Sequence, residues 1–210
     1  MNSNSQQILN LPGQAPVMVL PNAVLVPNAL LPLRIFEQQY RDMLRWCIEH
    51  DRIFCIAMRD PDWDGAGVRD FLPVAGVGLI RACIGQEDGT SHLILQGLSR
   101  VTLGPLAQTE PFRMAEITVC ATDMPNLVEA EALGVKVLEI CARRLEEGLQ
   151  IPETLMDKLR EVTDPELLAD IVTQTFLREP IQQQRLMEEA SVSARLRLLI
   201  RYLKAEGVTG

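Results

Sequence analysis

The sequence predicts an α+β protein, with a strand-rich amino-terminal part followed by a helical carboxy-terminal part. Short apolar segments separated by turn residues dominate residues 17–120. From about residue 122 the apolar residues recur with the 3.6-residue period of a helix. One further helix is inserted in the first part. We therefore expect a disordered leader at 1–15, a small, partly closed β-barrel at 16–121 and an α-helical bundle at 122–210.

The inserted helix follows a proline ribbon, which we define as residues 20–33. Its prolines Pro21, Pro27 and Pro32 forbid one continuous strand or helix, because proline fixes φ and lacks a backbone donor. The ribbon should therefore run as a kinked, largely buried path into a helix that begins near Ile35. Apolar residues at helical spacing predict the buried face of this helix: Phe36, Tyr40, Met43, Leu44, Cys47 and Ile48.

About six short strands are predicted, at residues 17–20, 53–58, 74–84, 91–96, 99–106 and 112–120. Gly76 and Gly78 permit bending or a close backbone approach in the long third strand. Asp88-Gly89 is a hairpin signal that connects this strand to the next. Such a set of strands, with one inserted helix, favours a small barrel over a doubly wound sheet.

Four or five helices are expected in the second part, beginning with a long one at 127–150 and a short one at 153–162. Asp164-Pro165-Glu166 is typical of a helix start, with a capping Asp and a proline in the first turn. Another helix follows Pro180, and Ser191 or Ser193 caps the last one.

Composition indicates a cytoplasmic protein that does not bind nucleic acid in a general way. The net charge is −8, whereas binding to a phosphate backbone needs a concentrated positive field. The five cysteines are scattered in apolar segments, as expected for reduced, buried thiols. No apolar run approaches the ~20 residues that span a bilayer, and the first residues do not read as a secretory signal.

Several blocks of the chain resemble the amino-terminal domain of Lon proteases. The first is Pro32-Leu33-Arg34-Ile35-Phe36-Glu37 with Tyr40 and Arg41, and further blocks follow in order at residues 76–80, 95–101, 110–116 and 164–170. The resemblance covers roughly residues 16–206, although Phe112 stands where the family often has Tyr, and loop 60–71 is no family signature. It implies a pseudo-barrel of the PUA-like type, a stand-alone domain, and recognition of unfolded or degron-bearing polypeptide segments.

Catalytic, metal and cofactor sites are not expected. The sequence lacks the G-x-x-x-x-G-K-[ST] loop, and its three lysines, Lys136, Lys158 and Lys204, fall on predicted helices rather than in a pocket beside a serine. The histidines His50 and His92 have no partners at metal-ligand spacing. Asp60-x-Asp62-x-Asp64-Gly65 begins like a calcium loop but has Phe71 where the bidentate Glu belongs, so a polar turn is the better interpretation.

Peptide binding is predicted in a groove where barrel and helices meet, or by strand addition to an open barrel edge. The residues predicted to contact the peptide are Val24, Leu25, Val26, Leu30, Leu31 and Trp63. A second set is predicted to be structural, with Arg34 and Glu37 as a polar lock between barrel and helix: Pro32, Arg34, Phe36, Glu37, Tyr40, Gly76, Gly78, Gly97 and Arg100. Trp63 either packs back on the barrel or is offered to a partner.

The expected partners are apolar or unfolded polypeptide segments, with a protease or a chaperone as a further candidate. Two alternatives stay open. One is RNA binding of the PUA-like type, to which the basic stripe Arg197, Arg201 and Lys204 could contribute. The other is a small-molecule or enzymatic role, which would require a polar pocket with converging titratable groups.

Overall fold

A computed structural model describes residues 11–67, 69–124, 126–149 and 153–206. Within these ranges six strands precede five of the six helices. The strands are β1 (Gln14–Leu20), β2 (Leu30–Ile35), β3 (Ile53–Met58), β4 (Val74–Gly85), β5 (Ser91–Gln108) and β6 (Met114–Val119). Residues 1–10 of the predicted leader lie outside the described residues. The predicted leader boundary at residue 15 is wrong, because Gln14 and Ala15 already pair with β6 in β1.

Five of the strands close into a ring, which we call the barrel. β4, β3, β1 and β6 pair in that order, and β5 pairs with both β4 and β6 and so closes the ring. The predicted strands at 91–96 and 99–106 are a single strand, β5, with irregular register against β4 and β6. Small apolar residues from all five strands fill the interior, including Ala15, Val17, Cys55, Ala75 and Val101. The barrel is therefore closed, where the sequence predicted partial closure.

The proline ribbon lies against the outer wall of the barrel at Leu25 and Val26, and glycines make the approach possible. A Cβ atom at Gly76 would lie 1.9 Å from the carbonyl oxygen of Leu25, and one at Gly97 would lie 2.2 Å from that of Val26. No side chain fits into such a gap, so only glycine allows the two backbones to touch. The structure therefore shows the predicted close backbone approach at Gly76, and the register of β4 against β5 is irregular between Val77 and Gly78.

Helix α1 (Gln38–Glu49) begins three residues after the predicted start at Ile35. Glu37 is the extended residue that precedes it, so Phe36 lies outside the helix and is exposed instead of buried. Ile48, also predicted to be buried, is partly exposed, while Met43, Leu44 and Cys47 form the buried face. The Tyr40 hydroxyl donates to the Val19 carbonyl and accepts from the Val19 amide, which ties α1 to β1.

The remaining helices are α2 (Leu127–Glu146), α3 (Glu153–Glu161), α4 (Pro165–Phe176), α5 (Pro180–Glu188) and α6 (Val192–Glu206). They share one apolar core, to which Val137, Leu159, Leu168, Leu186 and Leu196 contribute fully or almost fully buried side chains. The Asp164 side chain accepts from the Glu166 amide, with Pro165 in the first turn, as the sequence predicted for this helix start. The change from strand to helix falls between Val119 and Leu127.

Candidate binding surface

The groove predicted between barrel and helices is filled by the protein's own side chains. Val24 and Val26 pack with Met58 and with Met187 of α5, and Leu25 is 0% exposed beneath α1 and β5. A peptide cannot reach buried side chains, so the predicted contact role of Val24, Leu25 and Val26 is wrong. Their physical role is to hold the ribbon and the helices on the barrel.

Polar contacts also join the barrel to the helical part. Arg100 of β5 is buried and donates to the carbonyl oxygens of Met187 and Glu189 and to the Thr122 hydroxyl, each at 2.9 Å. Gln184 of α5 donates to the Val74 carbonyl at 2.9 Å. Buried donors and acceptors that pair in this way would each be costly to separate. The contact between the barrel and the helices is therefore a fixed internal interface.

A buried ionic cluster adjoins Arg100. Arg195 of α6 lies 3.3 Å from a Glu166 carboxylate oxygen and 3.5 Å from one of Asp170, and it also donates to the Glu189 carbonyl. Burial raises the pKa of Asp170 to about 7, and the nearby Arg195 charge opposes this rise only in part. Arg195, Glu166 and Asp170 each form ion pairs or hydrogen bonds within the chain, so the cluster is structural.

Beyond the ring, three strand segments form an extension of the same sheet, which we call the arm. It consists of β2, residues 80–85 of β4 and residues 91–96 of β5, with β5 in the middle. One face of the arm packs toward α1 through Leu31, Leu33, Ile35, Leu93 and Leu95. The arm is thus a two-sided sheet with one side covered.

The other side, which we call the open face, is apolar and uncovered. Ile94 of the central strand lies between Pro32 and Ala82, and His92 lies between Arg34 and Ile84. Ile84 is 65% exposed, and Leu30, on the same side of β2, is 59% exposed. On this side lies a hollow of about 450 Å³, lined among others by Pro32, Arg34, Ala82, Ile84, His92 and Ile94.

An antiparallel sheet that is packed on one face normally carries polar residues on the other. A contiguous apolar patch at the surface is typical of an interaction site. The open face is therefore the best candidate binding surface of the described residues, and it adjoins a second, polar hollow around Glu87, Asp88 and Thr90.

Strand addition, the second predicted mode, is confined to the arm in this geometry. The ring closes on itself, so the barrel strands offer no edge along the ring. The arm has two edges: β2, where Pro32 lacks the amide that a paired peptide would need, and residues 80–85 of β4, which extend beyond the pairing of β4 with β3. A segment that lies across the open face, away from these two edges, makes its contacts through side chains.

The other predicted site residues are spread over the surface. Leu31 lies on the covered face of the arm. Trp63 is 39% exposed, but it donates its indole N–H to the Ala66 carbonyl within its own loop and does not line the apolar hollow. The predicted Arg34–Glu37 lock is wrong: Arg34 is exposed on the open face, and Glu37 accepts from the Gln39 side chain. Asp60 and Asp64 accept backbone N–H groups two residues further on, which makes loop 60–71 the polar turn that was expected.

Ile84, Ala82 and Ile94 were not among the predicted binding residues. For Ala82 and Ile84 the signal in the sequence was the apolar character of residues 74–84 at both odd and even positions. A strand with apolar residues on both faces requires two covering layers. For residues 82–84 the described part of the chain supplies only one covering layer, on the α1 side.

A second apolar surface lies on α2, where Leu127, Val128 and Val135 are exposed beside a hollow between α2 and residues 160–168. Among the described residues no three His, Cys, Asp or Glu side chains gather as they would around a metal ion. None of the described helices combines the length and apolarity required to cross a bilayer.

Residues 14–205 match the family model described as the ATP-dependent protease La (LON) substrate-binding domain. The chain belongs to this family. The resemblance expected from the sequence is therefore confirmed, and the match is to the substrate-binding, non-catalytic part of Lon-type proteins.

Curated relatives of this LON substrate-binding domain are considerably longer. Lon protease 2 of Myxococcus xanthus is 24% identical over 197 residues, which cover 92% of this chain and 24% of the relative. The Lon protease of Escherichia coli strain K12 is 23% identical over 194 residues, which cover 92% of this chain and 25% of the relative. The chain thus spans about a quarter of the length of these relatives.

Solved structures show the same fold. The N-terminal domain of Mycobacterium avium complex Lon protease superposes with a TM-score of 0.73 at 19% identity, covering 91% of this chain and 98% of that domain. A Lon N-terminal domain protein from Xanthomonas campestris gives a TM-score of 0.62 at 19% identity, covering 90% of this chain and 98% of the other.

Proposed function

We propose that this LON substrate-binding domain is a non-catalytic module that binds unfolded or degron-bearing polypeptide segments on the open face of the arm. The observation that supports this most is an apolar sheet face without a covering layer in a domain of a substrate-binding family. In this role it supplies substrate to a protease, or acts as an adaptor beside a protease or chaperone. The PUA-like relation of its barrel is part of the same proposal.

The size of the open face favours weak, reversible capture. Leu30 and Ile84 are each about three-fifths exposed, and covering them contributes roughly 1–2 kcal/mol each. Ile94, Ala82 and Pro32 add smaller areas, while association itself costs several kcal/mol. These terms nearly balance, so the open face by itself is expected to bind weakly. Such binding suits a module that must release each segment.

Charge disfavours the RNA alternative. The chain has a net charge of −8, and Arg197 of the predicted basic stripe forms an ion pair with Glu129 of α2. Binding through phosphate contacts needs unpaired cations in a positive field. The open face instead offers apolar side chains, which match apolar polypeptide segments.

The test is the Ile84→Asp variant, because it places a charge on the open face without touching the buried core. Fluorescein-labelled casein, a polypeptide without a stable fold, is the probe, and fluorescence anisotropy measures its binding. We expect Ile84→Asp to weaken binding at least about tenfold, since the burial of Ile84 is lost and the new carboxylate must be desolvated.

Val135→Asp is the matched control. Val135 on α2 is exposed to a similar degree, 59%, and lies beside the second apolar surface. Its replacement should change casein binding less than twofold. If Val135→Asp abolishes binding and Ile84→Asp does not, the binding surface is on α2 and the proposal for the arm is wrong.

A further inference from the structure

We infer that the segment bound on the open face is an amphipathic helix with an acidic residue beside its apolar stripe. This rests on the proposed function and names the class of segment that the same surface takes. Three features support it: the width of the arm, the absence of strand partners on the open face itself, and the exposed charge of Arg34 beside the apolar hollow.

The width of the arm matches one helix. Three strands at the usual spacing of ~4.8 Å make a sheet about 10 Å across, which is close to the diameter of an α-helix with its side chains. The opposite face of the same strands already packs against a helix, α1, through Leu31, Leu33 and Ile35. A second helix on the open face would complete a three-layer helix–sheet–helix arrangement.

Backbone hydrogen bonding also favours a helix. A helix pairs its own N–H and C=O groups, so it can bring only side chains to an apolar surface. A single extended segment has unpaired backbone groups and needs a strand edge to satisfy them. The open face lies between the two edges of the arm, β2 and residues 80–85 of β4, so an extended segment on this face would find no strand partner there.

Arg34 supplies the charge preference. It is exposed at the border of both hollows, and within the described residues its side chain has no hydrogen bond and no carboxylate within 4.0 Å. Asp88 across the polar hollow accepts from the Thr90 amide and hydroxyl, and these bonds, helped by the more distant Arg34 charge, lower the pKa of Asp88. A carboxylate on the bound segment would form the direct ion pair with Arg34 that Asp88 does not form.

Two labelled peptides of identical composition test this inference. In the first, leucines recur at i, i+3, i+4 and i+7 with a glutamate beside them; in the second, the same residues alternate apolar and polar. We expect the first to bind at least about tenfold more tightly, since only its apolar residues lie on one helical face. Isotope-edited NMR of the bound first peptide should show helical backbone shifts, and a proline at its centre should abolish binding.

The charge is tested by a swap. Arg34→Glu should weaken binding of the first peptide about two- to fivefold, as for an exposed ion pair, and replacing the peptide glutamate by lysine should restore it. Arg201→Glu on α6 is the control for the change in net charge and should have no such effect.

The outcomes separate this inference from the proposed function. Equal or tighter binding of the alternating peptide, or an extended conformation of the bound first peptide, overturns the helix while leaving the proposed function intact. Failure of the swap to restore binding overturns the acidic preference. If neither peptide binds although casein does, the helix is overturned, and if casein also fails, the proposed function itself is wrong.

Discussion

A methyl group added at Gly76 has no room, and this makes Gly76→Ala a sharp test of how the proline ribbon is held. The new Cβ atom would lie 1.9 Å from the Leu25 carbonyl oxygen, whereas ordinary contact begins at 3.4 Å. The obstacle is backbone, which cannot rotate away as a side chain can. The ribbon must therefore move outward by about 1.5 Å or leave the barrel wall.

The expected loss of stability follows from this displacement. Overpacking of this kind costs about 1–3 kcal/mol. Leu25 is 0% exposed, and removing it from its site costs a further ~1.5–3 kcal/mol. The free energy of unfolding of Gly76→Ala should therefore be about 3–6 kcal/mol lower than that of the wild type, a large share of the stability of an ordinary domain.

Urea unfolding followed by far-UV circular dichroism measures this difference. Gly85→Ala is the matched control, because Gly85 lies in the same strand and nothing lies within 4 Å of an added Cβ there. It should stay within about 0.5 kcal/mol of the wild type. A Gly76→Ala protein less than 1 kcal/mol below the wild type would refute the packing of the ribbon against β4.

Two further predictions concern ionisation. Burial raises the pKa of Asp170 from 3.8 to about 7, so the folded state holds the proton of this carboxyl group more tightly than the unfolded state does. The protonated Asp170 therefore stabilises the fold fully below pH ~4, and this stabilisation is lost as the pH rises through 7. Asp170→Asn should remove up to roughly 4 kcal/mol of this pH dependence between pH 4 and 7, measured by urea unfolding at each pH; parallel wild-type and variant profiles would contradict it. Burial also raises the pKa of the Cys47 and Cys141 thiols to about 12, and it raises the pKa of the Cys55 thiol further. In the folded protein a maleimide at pH 7.5 should therefore label only Cys83 and Cys120, which are the two cysteines that are not buried. Peptide mass spectrometry would identify the labelled residues.

Much of the fold could be predicted from local signals in the sequence. Proline spacing predicted the kinked ribbon, Asp88-Gly89 the β4–β5 turn, and Asp164-Pro165 the start of α4. These features depend on the dihedral angles and hydrogen bonds of neighbouring residues. The length of β5 was missed because Gly97 resembles a strand break, whereas in the structure it makes room for the ribbon.

The binding surface was harder to predict, because apolarity does not reveal which residues another element covers. Val24 and Leu30 are both apolar and lie six positions apart in the ribbon, yet Val24 is buried against α5 and Leu30 is exposed. Only the tertiary arrangement of α1 and α5 separates them. The same holds for Ile84, whose strand pattern alone does not show that one face of the arm has no partner.

The most direct test of the central claim maps where a bound polypeptide touches the domain. Amide chemical shifts of the isotope-labelled domain, recorded during titration with unlabelled casein, report this residue by residue. The account predicts that the largest changes fall on the arm, at residues 30–36, 82–85 and 92–96. Changes concentrated on α2, around Val128 and Val135, with the arm unaffected, would contradict it.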